Sequence, residues 1–72
     1  MGAARNAIER MLIEKGFRRL NRSTPSVVAE YYHNGMKVFA KKFRGNEWSV
    51  GGIGSGNAAL VDGLIAEIME ML

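Results

Sequence analysis

The chain has no cysteine, one proline, one histidine, and no lysine or arginine beyond Arg44. Without cysteine, a disulfide framework and a thiolate metal site are both excluded, and a reducing cytoplasm is the expected compartment. His33 stands alone, without the sequence partners that mark a triad or a metal site, so no cofactor, no metal and no enzymatic role is expected. No apolar run reaches the ~20 residues of a membrane helix. Glu9, Arg10 and Glu14 interrupt what would be the apolar stretch of a signal peptide, so no membrane partner is expected either. At 72 residues and 47% hydrophobic content, one small domain spanning 1–72 is expected. Such a chain lies near the lower limit for a single self-sufficient core, and homodimerisation is one remedy.

The missing cations define a gradient. Residues 1–44 hold all ten Lys and Arg against three Glu, a net +7, whereas residues 45–72 hold four carboxylates and no cation, a net −4. The overall +3 therefore describes a dipolar molecule with one part suited to a polyanion.

Periodicity changes along the chain. Ala4, Ala7, Ile8, Met11 and Leu12 recur at helical spacing until Gly16 ends the pattern. Residues 18–26, with Pro25, read as a basic, polar connection. Two β-rich stretches, 27–32 and 36–43, flank Asn34-Gly35, the preferred pair for a two-residue type I′ hairpin. Arg44-Gly45-Asn46 leads to a short strand over 47–50. A glycine-rich turn follows, with Ser55 or Asn57 as the N-cap of a helix running to about Met71. In that helix Leu60, Val61, Leu64, Ile65, Ile68, Met69 and Leu72 form a wide apolar stripe. The predicted architecture is α+β, α-β-β-β-α, a three-stranded antiparallel meander covered on one face by two helices.

Two helices leave one sheet face open, and the hairpin register decides which side chains lie there. A two-residue loop pairs His33 with Met36, Tyr31 with Val38, Glu30 with Phe39 and Tyr32 with Lys37. Burying Lys37 and Lys41 on a central strand would be costly, so Tyr31, Met36, Val38 and Ala40 are expected under the helices. Tyr32, Lys37, Phe39 and Lys41 are then exposed. Trp48 and Val50 join the open face if Gly45-Asn46 is a two-residue loop, and the core if the loop has three residues. The competing arrangement puts Phe39, Phe43 and Trp48 in the core, with the lysines snorkelling at its edge.

Cations interleaved with aromatic rings on one strand are what single-stranded nucleic-acid platforms use. Lys42 and Arg44 extend this surface, and Arg18, Arg19 and Arg22, near Lys15, form a second basic patch that could follow a phosphate backbone. The glycines from Gly51 to Gly56 lack the Gly-Lys-Ser/Thr ending of a nucleotide cradle and read as a flexible turn.

The element order, Gly52-Ile53-Gly54 before the last helix, and His33 in the hairpin together resemble double-stranded-RNA-binding domains in outline. That resemblance implies RNA contacts near Arg10 and Glu14, at the His33-Asn34 tip, and from Ser55 to Ala59. Lys15-Gly16-Phe17 is similar to the end of the first helix in HicA-type toxins, which implies a ribonuclease as a further alternative. The reading carried forward is a non-catalytic module that binds RNA or DNA through Tyr32, Lys37, Phe39, Lys41, Lys42, Arg44, Arg18, Arg19 and Arg22. The alternative is a protein-binding inhibitor or adaptor, of the kind phages direct against host defence, using the same face on a large partner.

Overall fold

A computed structural model describes residues 3–22, 24–54 and 56–72, with side chains from residue 7 onward. The order is α1 (Ala3–Glu14), β1 (Arg18–Arg19), β2 (Val27–His33), β3 (Val38–Phe43), β4 (Glu47–Gly52) and α2 (Ala58–Met71). The class is α+β as expected, but the antiparallel sheet has four strands in the order β1-β2-β3-β4. The extra strand comes from the stretch expected to be only a connection. Gly16, at φ 103°, turns the chain back so that Arg18 and Arg19 pair with Tyr32 and Tyr31. Leu20 N–H then donates to the Glu30 carbonyl and prolongs the pairing.

The turn at Gly16 is a Schellman stop. Phe17 N–H reaches the Leu12 carbonyl at 2.9 Å and Gly16 N–H reaches that of Ile13 at 3.0 Å. Phe17 and Leu12, the apolar pair such a motif brings together, are both fully buried. Ile8, Leu12 and Phe17 meet Ala29 and Tyr31 of β2, Val38 and Ala40 of β3, and Leu64 and Ile68 of α2 in one core. Alternate strand residues thus face both helices, and the other sheet face carries no helix.

The β2–β3 hairpin departs from the type I′ expectation. His33 pairs with Val38, so four residues, 34–37, form the loop. Neither Asn34 nor Gly35 takes a positive φ; Lys37 does, at 59°. Side chains explain this choice. The His33 ring accepts the Met36 N–H at Nδ1 (3.0 Å), and the Asn57 amide donates to the Met36 and Lys37 carbonyls at 3.2 and 3.1 Å. The expected register is consequently shifted by two, which preserves the faces while changing every cross-strand pair. At the next turn Phe43 pairs with Glu47 across three loop residues, with Gly45 and Asn46 at φ 77° and 66°. Trp48 and Val50 accordingly lie on the helix side, the Trp48 ring stacked on Tyr31 at 6.1 Å.

Asn57 precedes α2, but its side chain makes no capping hydrogen bond, contrary to the role expected of it; Ser55 lies outside the described residues. The amide is buried and committed to the hairpin loop instead, and Gly52 admits it, since a Cβ there would collide with the Asn57 side chain. Only part of the apolar stripe of α2 is used: Leu64 and Ile68 are buried, whereas Leu60, Ile65, Met69 and Leu72 are exposed. Replacing Asn57 by Ala removes the donor to the Met36 carbonyl and one of the two donors to the Lys37 carbonyl, which keeps the Ile53 N–H, and should cost about 1–3 kcal/mol. Amide exchange should accelerate in 34–37 more than in the first turn of α2. Faster exchange confined to α2 would instead identify Asn57 as a helix cap.

Candidate nucleic-acid interface

The open sheet face is assembled from β1, β2 and β3. Tyr32 stands opposite Phe39, and Arg18 stands opposite Tyr32 on the other side. Lys41, two residues from Phe39, lies opposite Glu30. Its Nζ sits 5.3 Å from the Phe39 ring centroid and 3.6 Å from Glu30 Oε2. The Phe39 ring lies across Gly51, its cross-strand neighbour, where any Cβ would strike the ring. A large aromatic can therefore lie half-buried on a face that no helix covers.

Glu30 is the residue that the expected register concealed. It is only 9% exposed and accepts a 2.8 Å hydrogen bond from Arg22 Nε. That bond holds its carboxyl below the ordinary glutamate value against the opposing cost of burial, with the charges of Arg22 and Lys41 adding to the effect. Leu20, Arg22, Glu30, Tyr32, Phe39, Lys41 and Ile53 line a cavity of about 350 Å³ on this face. Ligand sites run from about 300 to 1,000 Å³, so the cavity lies at the small end of that range.

The nine sequence candidates do not stay together. Tyr32, Phe39, Lys41, Arg18 and Arg22 share the open face. Lys37 is in the hairpin loop and so does not flank Phe39 along the strand; its carbonyl accepts the Ile53 N–H, which brings Ile53 beside the face. Lys42 points to the helix side, is 5% exposed and donates to its neighbour's carbonyl, so it leaves the surface set. Arg19 is opposite Tyr31, and its guanidinium joins the Tyr31 hydroxyl in donating to Glu9 of α1, at 3.2 and 2.7 Å. It braces the helix against the sheet. Arg44 lies exposed in the β3–β4 turn, away from the aromatic pair. A signal for the true register was present in the sequence: it sets Glu30 against Lys41 and Tyr32 against Phe39, an opposite-charge pair and an aromatic pair.

His33 is half-buried, packed edge-on to Phe17 at 5.3 Å and bonded to the Met36 N–H. Among the described residues no cluster of three His, Asp, Glu or Cys could hold a metal ion, and no helix is long and apolar enough to cross a membrane. Comparison of the chain with protein-family models, curated proteins and solved structures gives no match.

The Glu30 pairing has a pH signature. Because its folded pKa is lowered, the stabilisation is fully present above the unfolded glutamate value of about 4.3 and is lost as pH falls through the lower folded value. Urea midpoints measured from neutral to acidic pH should show a loss in the wild type that is smaller in Glu30→Gln. Parallel curves for the two proteins would remove Glu30 from the acid transition.

Proposed function

We propose that the domain binds single-stranded nucleic acid on the open sheet face, stacking bases on Tyr32 and Phe39. The observation that carries this reading is the opposition of two aromatic rings on adjacent strands of an uncovered face, with Arg18, Arg22 and Lys41 around them. Stacking on an aromatic side chain contributes about 1–3 kcal/mol per base and tolerates any base. Two cations here are partly neutralised by Glu30, whereas Arg18 and Lys37 have no ion pair among the described residues. These two are the phosphate contacts of the proposal.

A single strand is favoured over a duplex because the surface that the double-stranded-RNA-binding outline would use is poorly supplied here. Gly56 to Leu60 carry no cation at the start of α2, and the Asn57 side chain is buried. The His33 ring packs edge-on to Phe17 and accepts the Met36 N–H at Nδ1, a bracing role in the hairpin that lends the ribonuclease alternative no support.

Fluorescence anisotropy with labelled single-stranded RNA, single-stranded DNA and duplex RNA, between about 50 and 200 mM salt, tests the proposal. Phe39→Ala and Tyr32→Ala should each cost about 1–3 kcal/mol of binding to single strands. Arg18→Gln and Lys37→Gln should each lower the salt slope by about 0.7. Glu30→Gln frees Arg22 and Lys41 and should tighten binding. No single-strand binding at low salt, or binding indifferent to both aromatics, overturns it.

A further inference from the structure

The charged side chains beside the aromatic pair stand in a fixed order across the open face. Glu30 of β2 lies opposite Lys41 of β3, and Arg22 reaches it from the segment that follows β1. Arg22 Nε donates to Glu30 Oε1 at 2.8 Å, whereas Lys41 Nζ stays 3.6 Å from Oε2, longer than a direct hydrogen bond. Oε1 is thus committed, while Oε2 keeps its capacity to accept. The guanidinium and the ammonium on either side both keep further N–H groups. Read across the sheet, the available groups run donor, acceptor, donor.

All three residues line the same cavity as Tyr32 and Phe39. Glu30 is two residues from Tyr32 on β2, and Lys41 two from Phe39 on β3, so the charged row lies about 7 Å along the strands from the aromatic row and on the same face. A base stacked on the rings, with one hydrogen bond at its edge, covers that distance. Its edge therefore meets the row.

The order of the row selects the base, because in a single strand the Watson–Crick edges are free to be read. Uracil and thymine present acceptor, donor and acceptor at O4, N3–H and O2, the complement of Lys41, Glu30 Oε2 and Arg22. Cytosine and adenine put an amino group where the row needs an acceptor, and one of its N–H groups would face a cation. Guanine presents two adjacent donors and needs both carboxylate oxygens, of which Oε1 is already taken. The bond from N3–H to Oε2 is charge-assisted, and at 9% exposure of Glu30 little water competes for it.

We infer that the Arg22–Glu30–Lys41 row makes the open face selective for the imide edge of uracil or thymine. Glu30 Oε2 accepts the N3–H, and Arg22 and Lys41 donate to the two carbonyl oxygens. This rests on single-strand binding at Tyr32 and Phe39 and adds the identity of the base. The two cations that Glu30 partly neutralises thereby read the base, while Arg18 and Lys37 hold phosphate.

The test is fluorescence anisotropy at one salt concentration with labelled oligouridine, oligocytidine, oligothymidylate and oligodeoxycytidylate, each of about ten nucleotides. Within one sugar type the two strands have equal backbone charge and single-ring bases. Oligouridine, oligothymidylate or both should show a Kd at least about five-fold lower than the cytosine strand of the same sugar, and the sugar that shows it identifies RNA or DNA. Methylating N3 in the preferred strand removes the donor and should raise Kd to the cytosine value or above. Glu30→Gln should bring the two pyrimidines within about two-fold of each other, since an amide offers a donor as readily as an acceptor. A circular-dichroism melt checks that this variant folds, and the N3-methyl comparison, which uses the wild type alone, decides if it does not. Equal Kd values for the two pyrimidines with both sugars, an N3-methyl strand that binds as well as its parent, or a folded Glu30→Gln protein with the full preference overturns the inference and leaves the single-strand reading standing. Absence of binding to every strand overturns both.

Discussion

Two helices against four strands can shield only one side of the sheet, and everything of functional interest in this domain follows from that geometric limit. The covered side takes the alternate residues Ala29, Tyr31, Val38 and Ala40, with Trp48 and Val50 beside them, and closes over them with Ile8, Leu12, Leu64 and Ile68. The residues in between are left on a face that must be stable in water. They manage this by pairing among themselves: Lys41 lies over Phe39, Arg22 and Lys41 hold Glu30, and Phe39 lies on the bare backbone of Gly51. A core this small also cannot use all of α2, so a second apolar surface remains along Ile65, Met69 and Leu72.

The two outward surfaces differ in chemistry because the chain's charges are segregated along its length. Arg18, Arg22 and Lys41 all come from the basic first part and share the open side of the sheet, while Lys37 lies in the β2–β3 loop. The second surface, an apolar groove between β4 and α2, draws most of its lining from the acidic remainder. Among the described residues one ion pair joins the two parts, Lys15–Glu67 at 3.1 Å, which links α1 to α2. The charges of the two parts are thus largely unpaired with one another among the described residues.

Asn57 connects these arrangements. A residue type that ordinarily caps helices instead sits inside the domain, its buried amide donating to the carbonyls of Met36 and Lys37. The contact links the entry to α2 with the hairpin that sets the β2–β3 register, and the register sets which aromatics face outward. A pinned four-residue loop replaces the two-residue turn that Asn34-Gly35 would otherwise favour.

The amino-acid pattern alone determined what depends on near neighbours in the chain: the ends of both helices, the Gly16 stop, the division of the two central strands into covered and open residues, and the charge gradient. Face assignment survived a register error because side chains alternate with a period of two, so a slip of two exchanges partners without exchanging faces. Tertiary structure decided what depends on contacts distant in sequence. Arg18 and Arg19 became a strand because Tyr31 and Tyr32 offered a free edge, and Arg19 was drawn to Glu9. Glu30 became the buried centre of the open face through partners eight and eleven residues away, Arg22 and Lys41. No local periodicity encodes such a meeting, because its energy comes from pairing one carboxylate with two cations, against the cost of burying it, and only the folded sheet brings the three together.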